Sequence, residues 1–125
     1  MCHHAAGVAR GVQHGIVVGD MPFGTADLSI EESKRNALKL VQKGRVQAVK
    51  IEANSANVAA IEAVVEIGIP VMGHIGFTPQ SLHQIGGYKV QGKTEEEAQR
   101  MLQLAQKLQE IGCFSILLEL VPTSI

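Results

Sequence analysis

Apolar and polar positions divide this chain into short, continuous apolar runs and longer stretches with helical spacing. The apolar runs lie at residues 15–19, 47–49, 70–73 and 114–118, and each has the length of a β-strand. Helical patterns separate them, which predicts the order β-α-β-α-β-α-β. Strands connected in this way run parallel in one sheet. The runs do not alternate strictly, which is typical of strands buried on both faces.

Capping signals predict where the helices begin and end. Residues 1–13 have the pattern of the tail of a helix that began before this chain. A serine or threonine followed three residues later by glutamate is the spacing of a capping box, and glycine favours the left-handed conformation that ends a helix. The predicted starts are Ser29 with Glu32, Ser55, and Thr94 with Glu97, and the glycines near the ends are Gly44, Gly68 and Gly112.

An ionisable side chain follows at the end of every predicted strand. Asp20 follows the first, Lys50 and Glu52 the second, His74 the third and Glu119 the last. The carboxyl ends of parallel strands meet at one edge of a sheet, and ligands bind at that edge in open α/β sheets and in barrels. Three carboxylates, a lysine and an imidazole are therefore predicted to line one pocket, which indicates an enzyme.

Composition narrows the class of protein. The chain has 125 residues, 46% hydrophobic and 18% charged, with a net charge of −1, which predicts one folded domain over residues 1–125. The absence of a basic stripe argues against nucleic acid as a partner. No apolar run is long enough for a bilayer, and the N-terminus lacks the layout of a signal peptide. Cys2 and Cys113 form no CxxC pair, which favours a reduced compartment inside the cell.

Two architectures fit four parallel strands and three complete helices. One is a compact open α/β domain with helices on both faces of the sheet. The other is about half of a barrel of eight βα units, which typically needs about 250 residues. The long connection over residues 75–93 interrupts the rhythm of the elements, and such connections usually carry function.

The loops at the strand ends resemble, taken in order, those of the ketopantoate hydroxymethyltransferase (3-methyl-2-oxobutanoate hydroxymethyltransferase) family. The resemblance covers essentially the whole chain, and the order of the motifs makes it specific. The motifs are GDMPFG at 19–24, VKIE at 49–52, GIPVMGHIG at 68–76 with TPQS at 78–81, GGYKVQG at 86–92, and LELVP at 118–122.

This resemblance implies a fold and an activity. The fold would be a partial (β/α)₈ TIM barrel of the phosphoenolpyruvate/pyruvate type, about four βα units that correspond to strands three to six. The activity would be transfer of a one-carbon unit from 5,10-methylenetetrahydrofolate onto C3 of 3-methyl-2-oxobutanoate, with Mg²⁺ holding the keto acid. A homo-oligomer is implied for the complete enzyme, in the cytoplasm, or in the mitochondrion of a eukaryote.

The resemblance also implies roles for the five ionisable residues. Asp20 and Glu52 match the metal carboxylates, Asp20 also lying at the substrate, and Lys50 matches a lysine that meets the substrate. Glu119 matches the general base, and His74 lies at the edge of the substrate pocket without a firm role. Independently, removing a proton beside a ketone requires the resulting negative charge to be stabilised. A hard cation held by one or two carboxylates can do this.

Three further expectations concern the surroundings of the site. The apolar residues 116–118 are expected to bury Glu119, and burial would raise the pKa of a carboxyl base. Ala53-Asn54 stands where many relatives have two glycines, which is expected to narrow the pocket or change the turn. An N-terminal strand with an Asp-Ser pair, which the family uses for metal and keto acid, is absent from the chain.

Simpler interpretations stay open for each residue. Taken alone, Asp20 could simply form a turn, and Lys50 with Glu52 could be an exposed pair on a strand. His74 alone could be a structural residue held by a hydrogen bond. Three N-terminal histidines, His3, His4 and His14, have no convincing metal spacing. Two other functions compete with the transferase: a non-catalytic remnant that folds only by pairing, since its sheet edges would be open, and another 2-oxo-acid enzyme of the same barrel group, such as a lyase.

Overall fold

One parallel four-stranded sheet organises the chain. The structure, a computed structural model, describes residues 1–125. Each strand pairs with the next, in the order β1-β2-β3-β4. The strands are β1 Val18–Asp20, β2 Ala48–Glu52, β3 Val71–Gly76 and β4 Ser115–Glu119, and the helices are α1 Cys2–Gly11, α2 Ile30–Gly44, α3 Val58–Glu66, α4 Leu82–Ile85 and α5 Glu95–Glu110, with a 3₁₀ turn at Pro79–Ser81.

The helices cover one face of the sheet. Val49, Ile51 and Val71 point to that face and are buried in a single aliphatic core with residues of α2, α3 and α5. An added Cβ at Gly73 would lie 2.8 Å from Leu108 Cδ1 of α5, so the fully buried Leu108 would have to shift. The prediction of parallel strands is confirmed. Sequential strand order with helices on one face is consistent with a partial barrel and does not fit an open domain with helices on both faces.

The opposite face of the sheet carries no layer of this chain. Met72, Ser115 and Leu117, which lie on that face, are all partly exposed. The expectation that the strands are buried on both faces is therefore wrong for these residues. The prediction rested on continuous apolar runs in the sequence, and such runs do not show whether anything covers each face of a strand.

The observed strand boundaries differ from the predicted ones, most at the start of β1 and at the ends of β2 and β3, where β2 continues to Glu52. β1 begins at Val18, and Gly15 itself is not extended, since its φ is +104°. β3 continues to Gly76, since this glycine still pairs with Glu119 of β4. His74 consequently lies within a strand, and its main-chain oxygen accepts a hydrogen bond from Ala53 N at 2.8 Å.

Two of the three predicted helix starts are confirmed. Ser29 Oγ accepts a hydrogen bond from Glu32 N at 3.1 Å, and Thr94 and Glu97 form a capping box with both of its hydrogen bonds. These contacts satisfy main-chain donors that a helix leaves free in its first turn.

The third helix start, Ser55, was predicted wrongly. Asn57 precedes α3, which begins at Val58. Asn54 Oδ1 accepts hydrogen bonds from Ala56 N at 2.9 Å and from Asn57 N at 3.2 Å, so an asparagine turn occupies the residues where the helix was expected to start. Asn54, which the sequence analysis named as a departure from the family pattern, thus shapes the turn before α3.

The connection after β3 packs back onto the end of β4. Phe77 is fully buried, and its ring lies 4.9 Å from the ring of Tyr88. Gln91 N donates to the oxygen of Leu120 at 2.8 Å. Contacts in both halves of the connection over residues 75–93 thus hold it next to the predicted pocket. None of the helices combines the length and the apolar character needed to cross a membrane.

Replacing Gly76 by alanine is expected to destabilise the fold and displace the end of β4. Gly76 has a φ of +90°, and an added Cβ would overlap the main-chain oxygen of Glu119. Gly68 has a nearly identical φ of +87° with no atom within 4 Å of an added Cβ, so Gly68→Ala isolates the cost of the backbone conformation. We expect about 1–2 kcal/mol for Gly68→Ala and at least about 1 kcal/mol more for Gly76→Ala, measured by urea denaturation. Equal losses would contradict the steric argument.

Candidate active site

All five ionisable residues predicted at the strand ends come together at one edge of the sheet. Lys50 Nζ lies 3.0 Å from Asp20 Oδ1 and 3.3 Å from His74 Nδ1. On the other side of the ring, His74 Nε2 lies 3.4 Å from Glu119 Oε2. Glu52 Oε1 is 4.0 Å from His74 Nδ1, too far for a hydrogen bond. The side chains of four parallel strands therefore form one continuous polar cluster.

His74 is the buried centre of this cluster. Its side chain is 2% exposed. A lysine ammonium only donates hydrogen bonds, so we assign Nδ1 next to Lys50 as the accepting nitrogen and the ring proton to Nε2. Nε2 is buried and makes no aligned hydrogen bond, although Glu119 is close. Burial, and secondarily the charge of Lys50, lower the pKa of His74. The neutral imidazole is thus the form that the fold favours at pH 7.

Glu52 is the most buried carboxylate of the cluster, with 9% of its side chain exposed. Burial raises the pKa of Glu52, while the main-chain N–H of Gln80 and the charge of Lys50 act in the opposite direction. The Gln80 nitrogen lies 3.3 Å from Oε1 and 3.1 Å from Oε2. The carboxylate is therefore held in place by a main-chain donor from the loop after β3.

Glu119 is less buried than the sequence suggested. Its side chain is 39% exposed, and neighbouring Leu118 is 57% exposed. The expectation that residues 116–118 bury Glu119 is wrong for this chain. Leu118 points to the helix side at the open edge of the sheet, where no further element covers it.

Asn57 and Gln80 hold main-chain atoms of the site through their side-chain amides, and neither was predicted as a site residue. Asn57 is 4% exposed, and its Nδ2 donates to Asp27 Oδ1 at 3.0 Å and to the main-chain oxygen of Glu52 at 2.9 Å. Gln80 Nε2 donates to the main-chain oxygen of Met21 at 2.9 Å. Gln80 lay within the TPQS motif, but its partner is 59 residues away in sequence, and no local pattern indicates such a contact.

The donor set fits a hard divalent cation. Asp20 Oδ1 is buried and takes part in no aligned hydrogen bond, although the ion pair with Lys50 is close. Glu52 uses one main-chain donor, which leaves lone pairs on both oxygens. The structure contains no group of three or more His, Cys, Asp or Glu side chains arranged to hold a metal. Mg²⁺ commonly binds through one or two carboxylates, with waters and substrate as further ligands, so two are sufficient.

The N-terminal histidines and the cysteines lie outside this site. The rings of His3 and His4 stack edge to face, 5.7 Å apart, on the exposed side of α1. Cys2 and Cys113 are both free thiols. Burial raises the pKa of Cys113 to about 11, which makes its thiol unreactive at neutral pH.

Comparison with known proteins points to one family. A family model described as ketopantoate hydroxymethyltransferase matches residues 1–125. A protein of Ignicoccus hospitalis named 3-methyl-2-oxobutanoate hydroxymethyltransferase is 50% identical over the whole chain, which covers 47% of that protein. Proteins of the same name from Syntrophobacter fumaroxidans and Heliobacterium modesticaldum are 47% and 46% identical, with 44% and 45% of their lengths covered. The chain spans about half the length of the curated relatives it matches.

Proposed function

The chain belongs to the ketopantoate hydroxymethyltransferase family, and we propose that it supplies the catalytic edge of a hydroxymethyltransferase that acts on 3-methyl-2-oxobutanoate. The one-carbon donor in this proposal is 5,10-methylenetetrahydrofolate, and the fold is strands three to six of a (β/α)₈ barrel of the phosphoenolpyruvate/pyruvate type. The convergence of Asp20, Lys50, Glu52, His74 and Glu119 at one sheet edge supports it most. We also propose a cytoplasmic homo-oligomer, on the family resemblance.

Each side chain has a role that its chemistry allows. Glu119 takes the proton from C3 of the keto acid, and the electron pair of the broken C–H bond passes toward the C2 oxygen as an enolate. The same pair then forms the new bond from C3 to the one-carbon unit of the folate. Both C–N bonds of that carbon break with their electron pairs staying on the two folate nitrogens, and water supplies the hydroxyl group. The second proton of water and the proton held by Glu119 go to those nitrogens, so that tetrahydrofolate leaves. His74 Nε2 lies 3.4 Å from Glu119 Oε2 without an aligned hydrogen bond, and a small movement of the Glu119 side chain would let His74 orient the carboxylate. Lys50 offers the ammonium group that a substrate carboxylate requires.

Asp20 and Glu52 are the residues that would hold Mg²⁺. Bound there, the cation would supply Lewis-acid stabilisation of the negative charge that develops on the oxygens of the keto acid. The ion pair between Lys50 and Asp20 also keeps one positive charge among three carboxylates. Together with a bound Mg²⁺, Lys50 would balance the three carboxylates, and the site could then accept an anionic substrate.

Proton exchange at C3 of 3-methyl-2-oxobutanoate in D₂O tests this function. The chain is assayed by itself and as a hybrid, in which it replaces the matching 125-residue segment of the Ignicoccus hospitalis relative. We expect the hybrid to catalyse exchange of the C3 proton when Mg²⁺ is present. Exchange should stop when the metal is removed by a chelator. A hybrid that folds but does not exchange, beside an active parent, would contradict the proposal. Exchange of other 2-oxo acids in preference would favour a lyase of the same barrel group.

The uncovered sheet face favours a second candidate, a non-catalytic remnant that acts only as an oligomerising fragment. Met72, Ser115 and Leu117 lie on that face, and β1 and β4 are open edges. This candidate predicts that the chain forms oligomers or aggregates and that Mg²⁺ with keto acid leaves its melting temperature unchanged. A monomer that both ligands stabilise would exclude it.

A further inference from the structure

Gln80 contacts the ends of two strands at once. Its main-chain nitrogen lies 3.3 and 3.1 Å from the two carboxylate oxygens of Glu52, at the end of β2. Its side-chain Nε2 donates to the main-chain oxygen of Met21 at 2.9 Å, one residue past the end of β1. Met21 is 2% exposed, and its own nitrogen donates to the main-chain oxygen of Lys50 at 2.9 Å. The side chain of Gln80 thus contacts a buried residue that is itself hydrogen-bonded to β2.

We propose that Gln80 is a positioning residue that fixes the carboxylate of Glu52 relative to Asp20. This inference rests on the proposed function, in which both carboxylates face the same cation and substrate. Without the side-chain hydrogen bond to Met21, the turn at Pro79–Ser81 would no longer be attached to the end of β1. The main-chain N–H of Gln80 would then no longer be held beside the carboxylate of Glu52. Gln80 acts through Glu52 and does not itself touch the substrate.

The geometry explains why the side chain matters although the donor to Glu52 is a main-chain group. A main-chain N–H is present with every residue type, but its position depends on how the loop is held. The turn at Pro79–Ser81 has only three residues, and the short helix α4 follows it directly, so little of its own structure holds it. Groups that orient a metal-binding side chain commonly contribute about 10–100-fold to metal affinity.

Gln80→Met tests this positioning role on the 125-residue chain itself. Methionine keeps the length of the side chain but cannot donate the hydrogen bond to Met21. Gln84→Met is the matched control, since Gln84 lies in the same segment and is exposed. We expect hydrogen exchange of the amide of residue 80, followed by NMR, to become at least about tenfold faster in Gln80→Met and to stay within about twofold in the control. Amides of β2 report whether each variant stays folded. If the methionine variant does not fold, Gln80→Asn replaces it, because asparagine is too short to reach Met21.

Binding of Mg²⁺ to the same variants is the second measurement. We expect the dissociation constant to rise about 10–100-fold in Gln80→Met and to stay unchanged in Gln84→Met. An unprotected amide at residue 80 in the wild-type chain, or equal exchange in both variants, would overturn the inference. If the wild-type chain binds no Mg²⁺, the proposed metal site fails, while amide exchange still decides the role of Gln80.

Discussion

Glu119→Gln in the hybrid protein is expected to slow exchange of the C3 proton of 3-methyl-2-oxobutanoate by about 10²–10⁴-fold. Glutamine keeps the shape of the side chain and leaves a polar group beside His74 Nε2, which lies 3.4 Å from Glu119 Oε2 in the wild type. It cannot take a proton from carbon. Binding of the keto acid should therefore change little, and the loss should appear in the rate of exchange, followed by loss of the C3 proton signal in NMR spectra.

Glu66→Gln is the control for this experiment. Glu66 ends α3, at the opposite end of the strands from the site, and is exposed. Wild-type exchange in Glu119→Gln would mean that another carboxylate is the base. Glu52 would then be the first alternative, because burial raises its pKa and a raised pKa improves a carboxylate as a base at neutral pH.

Much of the sheet edge could be predicted because parallel topology fixes it. Once the four strands were identified and connected through helices, Asp20, Glu52 and Glu119 had to lie at the same edge, whatever the exact strand boundaries. The errors at Gly15 and at the end of β3 did not change this conclusion. A shift of a boundary along a strand leaves the direction of the strand unchanged.

The bracing contacts could not be predicted, since they depend on distances between loops. Asn57 was missed because the asparagine turn before α3 moved the helix start by two residues from Ser55. Gln80 was missed because its partners, Met21 and Glu52, belong to other strand ends. Hydrophobic periodicity carries no information about such contacts.

The exposure of Glu119 was mispredicted for a related reason. Leu118 is apolar, but apolar character does not say whether anything packs against it, and 57% of it is exposed in this chain. By contrast, burial of His74 and Glu52 follows from their place on the two central strands. Position in the strand order therefore decides burial here more than the character of the neighbouring residues.

Lys50→Met in the hybrid protein is expected to give the second-largest loss of activity toward the keto acid. Lys50 is the only cationic side chain within ion-pair distance of Asp20, and its side chain is 18% exposed. A hydrogen bond to a charged group contributes about 1.5–3 kcal/mol, so we expect kcat/KM for the keto acid to fall about 10–150-fold. The larger part of the loss should appear in KM, since the ammonium group is proposed to bind the substrate carboxylate.

The same substitution should also move the pH dependence, and the direction follows from the charges. Lys50 lowers the pKa of both Glu52 and His74, so its removal raises both. Both groups then hold a proton to higher pH, and the acid limb of the exchange rate should shift upward. Lys43→Met, at an exposed position of α2, should leave KM and the pH profile unchanged. An unchanged profile in Lys50→Met would mean that the charge of Lys50 does not control the protonation of the cluster.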